Sequence, residues 1–123
     1  MNKDIGNLPS HDALLLGVII DRSNPGHVDT IELSIEWDDG KKSFALFRDC
    51  YAMRSKMNFG IVAWESIRSV EISDQSDDLD AIKEAYNCVG AGIPTLKCFT
   101  LETNSTASII KVFALSLEIS PAN

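Results

Sequence analysis

Between Val28 and Trp37 apolar and polar residues change places at every step. Ile31, Leu33, Ile35 and Trp37 alternate with Thr30, Glu32, Ser34 and Glu36. Successive side chains of a strand point to opposite faces, so this stretch makes a strand with one buried face and one wet face. Sheets with one wet face are antiparallel, which narrows the architecture at once. Asp38-Asp39-Gly40 ends the strand with a hairpin signal, because Asp-Gly tolerates positive φ at both central turn positions. Ser43 to Asp49, carrying Phe44, Leu46 and Phe47, reads as the returning strand.

Other segments add to this hairpin. Ala13 to Ile20 is apolar on both parities, the pattern of a strand buried on both faces, and its β-branched finish and Gly17 favour strand over helix. Asp21 to Gly26, with its Pro25-Gly26 pair, reads as a turn. Tyr51 to Phe59 is expected to form a separate strand ended by Gly60. Ile61 to Ile67 reads as a helical turn or irregular crossing, and Val70 to Ser73 as a strand. Thr95 to Thr103 and Ser108 to Ile119 form a closing pair of strands around a turn at Asn104-Ser105-Thr106. In the last strand Ile109, Phe113, Leu115, Leu117 and Ile119 share one parity, and Lys111 interrupts that face, as at a sheet edge or beyond the core.

One helix stands out, at about Asp77 to Cys88. Ser76 is placed to cap it, and Asp77, Asp78 and Asp80 sit where the helix dipole favours negative charge. Leu79, Ile82, Tyr86 and Val89 recur at three- and four-residue steps and form one apolar stripe, while Gly90, Gly92 and Pro94 stop the helix. The expected fold is α+β: a mostly antiparallel, curved sheet packed against one main helix. Length and the absence of any linker make residues 1–123 one domain, with fraying expected at 1–7 and 121–123.

Eighteen carboxylates face eleven cations, a net charge of -7. Nucleic acid and anionic membranes select for a basic face, so neither is an expected partner. The longest apolar run, Ala13 to Ile20, is far shorter than the roughly 20 residues that cross a bilayer. With no targeting segment evident and three cysteines (Cys50, Cys88, Cys98) in no C-x-x-C pair, the expected compartment is the cytoplasm.

Catalytic groupings are not expected. His11-Asp12 is the sort of pair that metal-dependent phosphohydrolases use, but His27 is the only other histidine, and it lies beside a turn. Asp74, Ser76 and Asp78 begin like a calcium loop, yet Leu79 stands where the glycine of such a loop belongs. The expected catalytic residues, metal and cofactors are therefore none. What remains is acidic surface. Asp74, Asp77, Asp78, Asp80 and Glu84 form one candidate partner-binding face, and Asp38 and Asp39 a second. Plain readings accompany both: a well-capped helix start and a turn.

Two segments bear a resemblance to known proteins. Leu8 to Asp21 (LPSHDALLLGVIID) and Asn58 to Ile67 (NFGIVAWESI) resemble blocks of small bacterial proteins, among them immunity proteins of polymorphic-toxin and contact-dependent growth inhibition systems. Together they span about a fifth of the chain. The resemblance implies an antitoxin that neutralises one cognate toxin domain, often a basic nuclease, without catalysis of its own. The alternative is a small-ligand or sensory domain with a pocket between sheet and helix, lined by residues such as Phe44, Phe47, Trp64 and Tyr86. A homodimeric structural subunit is a further reading.

Overall fold

The computed structural model describes residues 13–24, 28–90 and 95–121. Six strands and one helix follow in the order β1 (Leu14–Asn24), β2 (Val28–Glu36), β3 (Lys42–Lys56), β4 (Ile67–Ser73), α1 (Asp77–Cys88), β5 (Lys97–Thr103) and β6 (Ile109–Pro121). They form one antiparallel sheet with strand order β1-β2-β3-β6-β5-β4. The sheet curls until its two outer strands touch. Leu14 bridges Ser66, the Leu15 amide donates to the Glu65 carbonyl at 2.8 Å, and the Ile67 amide donates to the Ala13 carbonyl at 2.7 Å. This is the α+β fold expected, with the sheet closed on itself at that point.

The alternation in β2 holds: Ile31, Leu33 and Ile35 are buried in the hollow of the sheet beside Phe47, Phe99, Val112 and Ile119. The β2–β3 loop differs in detail. The Gly40 amide donates to the Trp37 carbonyl (2.9 Å) and the Trp37 amide to the Lys41 carbonyl (2.8 Å), so three residues turn the chain. Only Gly40 has positive φ there (86°), which is the three-residue hairpin with glycine in the left-handed region.

Several expectations are corrected. β1 is not buried on both faces. It is an outer strand, so Ala13 and Leu15 are buried where the sheet closes, while Leu16, Ile19 and Ile20 are exposed. Nor does it end at Ile20, since Asp21 to Asn24 continue the strand. Residues 25–27, with the Pro-Gly pair and His27, lie outside the described residues, as do His11, Asp12, Gly92 and Pro94.

The two strands expected before and after Cys50 are one strand, β3. Asp49 takes φ 55°, and the register with β6 shifts between Cys50 and Ala52. A bulge of this kind bends a strand and leaves its ladder running on either side. Its consequence reaches β6, where Leu115 stands between Ala114 (opposite Cys50) and Ser116 (opposite Arg48). On one side of that point Leu117 and Ile119 enter the central core. On the other side Ile110, Val112 and Ala114 do so, and Phe113 and Leu115 turn to the helix. The single parity expected for β6 is therefore broken at the bend. Lys111 lies neither at an edge nor beyond the core: β6 is an inner strand, and this lysine meets α1.

α1 has the expected limits. Ser76 accepts from the Leu79 amide at 3.0 Å, capping the first turn. Leu79 and Ile82 pack with Leu96, Cys98 and Phe113, and Tyr86 leans edge-on to Tyr51. Val89 does not join this stripe. It follows the last helical residue, next to Gly90 at φ 77°, and is turned to solvent.

Candidate functional site

Of the five carboxylates assigned to the helix face, four are exposed: Asp74, Asp77, Asp80 and Glu84. None of these four takes part in an ion pair among the described residues. Asp78 is different. One oxygen accepts from Lys111 Nζ at 3.0 Å, the other lies 3.9 Å from Arg54 Nε, and the Arg54 guanidinium covers the Phe113 ring at 5.6 Å. The hydrogen bond and charge of Asp78 raise the Lys111 pKa above its ordinary value. Asp78 thus fastens the start of α1 to β6 and β3. At the second acidic position, Asp38 and Asp39 are exposed on the β2–β3 loop, where Asp39 Oδ1 accepts from the Lys41 amide at 2.9 Å.

Among the described residues the longest irregular segment runs from Met57 to Glu65, and both its ends are tied to the β5–β6 turn. The Asn58 amide donates to Ser108 Oγ (3.0 Å) and its side-chain amide to the Thr106 carbonyl (2.9 Å). At the other end Ser105 Oγ donates to the Trp64 carbonyl (2.8 Å), and Glu65 accepts from the Ser105 amide (2.9 Å) and from the Thr106 hydroxyl. Burial acts to raise the Glu65 pKa, but the hydrogen bonds from Thr106 and Ser105 outweigh it and hold the carboxyl below its ordinary 4.5. A negative oxygen with this many donors is held in its charged form.

What this fastening presents is apolar. Phe59 is 80% exposed, Ile61 57%, Trp64 74%, and Val62 is fully exposed. Beside the loop, Leu16, Ile20, Met53, Met57 and Phe59 line an open cleft of about 490 Å³ between β1 and the second half of β3. A second cavity of about 330 Å³ continues from it, sharing Ile20 and Met53 and reaching Asp21, Arg22 and Cys50. The cleft exists because β2 and β3 pair only as far as Ile31 and Phe47, after which β3 bends away at its bulge.

The helix-to-sheet interface, by contrast, is filled by Leu79, Ile82, Cys98 and Phe113. Of the pocket residues considered from sequence, Phe47 is buried in the core, Trp64 is exposed, and Tyr86 lines the smaller cavity while its hydroxyl donates to the Tyr51 carbonyl at 3.1 Å. Cys50 also faces that cavity, but burial pushes its thiol up to about 11, so at neutral pH it is protonated and a poor nucleophile.

Sequence reasoning missed the loop surface. The signal was present as FGIVAW, four large apolar residues in a stretch with no period. Its partners, Ser105 and Thr106, lie about forty residues away in sequence. The fold and site together define a small α+β protein with a curled antiparallel sheet, an acidic helix and an exposed apolar loop. A scan against protein-family models finds no family that matches, and a search of the curated proteins finds no match.

Proposed function

We propose that this chain acts by binding a protein partner, and that the partner is a basic toxin domain which the chain neutralises as its immunity protein. The observation that carries this reading is the set of four exposed carboxylates at α1, Asp74, Asp77, Asp80 and Glu84, in a chain of net charge -7. Asp77, Asp80 and Glu84 are held on a capped helix, Asp74 lies just before its cap, and none of the four is consumed by an ion pair among the described residues. Such charges speed encounter with a positive surface and help select it. A nuclease domain must present positive charge to its substrate, which makes it a fitting partner. The likeness of two segments to immunity proteins points the same way.

The test is binding to a purified toxin domain encoded next to this chain's gene, measured at several salt concentrations. Neutralising the four free carboxylates together (D74N, D77N, D80N and E84Q) is expected to weaken binding by about 0.2–1 kcal/mol for each rim pair and to flatten the salt dependence. Asp78 is left intact, because it holds the helix to the sheet. Unchanged affinity and salt slope would show that α1 is the wrong face.

A second reading, a small-ligand domain, draws on the cleft beside β1, whose volume of about 490 Å³ is in the range of ligand sites. Saturable binding of a small apolar ligand, lost in Met53→Asp, would favour it.

A further inference from the structure

The loop and the cleft beside it form one apolar surface, of which one part projects and the other is hollow. Phe59, Ile61, Val62 and Trp64 project, while Leu16, Ile20, Met53 and Met57 line a hollow, and Phe59 belongs to both. β1 adds an open strand edge, since beyond Leu15 it pairs only with β2 among the described residues. Monomers rarely leave so much contiguous apolar surface exposed, and unguarded strand edges invite pairing. The loop is also held ready at both ends, so that little ordering entropy is lost when it is covered.

We propose that this surface is where two copies of the chain meet about a two-fold axis, the loop of each copy seated against the cleft of the other. A projection next to a hollow on one face is self-complementary under two-fold symmetry, which is how isologous interfaces are built. Area supports a second copy. A buried aromatic side chain covers 150–250 Å², so Phe59 and Trp64 from both copies contribute roughly 800 Å², about half of a standard interface. Ile61, Val62, Leu16 and Ile20 supply much of the rest.

Charge supports it as well. Lys56 and Arg68 flank the loop, are exposed, and form no ion pair among the described residues. A second copy offers Asp21, exposed at the far end of the hollow, where the smaller cavity continues from the cleft. The acidic residues of α1 are on a different element, so the pairing of copies leaves the toxin-binding reading intact. The two stand or fall separately.

Sedimentation of the whole chain over a range of concentrations tests the proposal. The wild type is expected to pass from monomer to dimer in the micromolar range. Trp64→Ser and Val62→Asp, both at exposed positions, are expected to keep the far-ultraviolet circular dichroism of the wild type and to raise the dimer dissociation constant by about 30-fold or more, as loss of a hot-spot side chain does. A wild-type chain that stays monomeric up to about 1 mM overturns the proposal. So does a dimer that both variants form as readily as the wild type. Capture of the monomer by lipid vesicles, or an apolar dye filling the cleft without competition from a second copy, would also overturn it.

Discussion

Where β5 and β6 face α1, Phe113 is fully buried, Leu79 and Ile82 close over it, and the charged residues nearby, Asp78, Lys111 and Arg54, find one another. From β1 to the loop at 58–65, apolar residues of similar size are left facing solvent, and the polar groups are spent on fastening the loop. The same curled sheet supports both regions. In the first, side chains complete the protein's own core. In the second, hydrogen bonds hold a shape whose apolar groups contribute little to the chain's own packing. The difference separates residues kept for stability from residues whose exposure calls for another explanation.

Substitution at Phe113 gives the largest expected effect. Phe113→Ala removes a ring at the centre of the helix-facing cluster, and unfolding in denaturant should show a loss of about 3–5 kcal/mol. A loss under 1 kcal/mol would mean that this region is not the packed half of the comparison.

At the loop's anchor, Glu65→Ala leaves the Thr106 hydroxyl and the Ser105 amide without their acceptor. Stability should fall by about 1–3 kcal/mol, and hydrogen exchange should quicken across residues 58–65 more than in α1. The pH dependence has a definite sign. The folded-state pKa of Glu65 lies below its ordinary 4.5, so its contribution is complete above that value and is lost as pH falls through the folded-state value. Acid titration of the wild type should therefore loosen the loop, and Glu65→Ala should lack that transition.

A smaller effect is expected at Asp78. Asp78→Asn removes the charge that Lys111 faces, but the pair is about a third exposed on either side, so about 0.2–1 kcal/mol is lost and high salt narrows the gap. Lys111 has a raised pKa, so this contribution is present below 10.5 and fades as pH rises through the folded-state value.

The smallest effect should come from the loop tip. Val62→Ser, measured at a concentration where the chain is monomeric, should change stability by no more than about 0.5 kcal/mol. A larger loss would place Val62 in the chain's own core and erase the contrast with Phe113.

Local signals in the chain were legible. The alternation of β2 and the Ser76 cap each concern residues a few positions apart; α1 has the limits its pattern implies, and β2 stops at Glu36, one residue short of Trp37. β1 was misjudged because an apolar run on both parities has two sources. It can be a strand covered on both faces, or an outer strand whose second face is left open, and composition does not distinguish them. The single strand β3 was divided in two because nothing in the sequence near Cys50 marks Asp49 as the residue that takes positive φ. Of the candidate site, the acidic residues could be counted from sequence. That Asp78 is engaged with Lys111, thirty-three positions away, could not.

Sequence by itself determined the class of fold, the one helix with its cap, and the negative charge, because each follows from residue type and short-range period. The tertiary structure decided which apolar residues form the core and which stand in solvent. It also set the bend in β3 and β6 and fastened the loop to a turn about forty residues on. Those outcomes depend on which strands become neighbours when the sheet curls, and a neighbour distant along the chain leaves no mark on the residues it will cover.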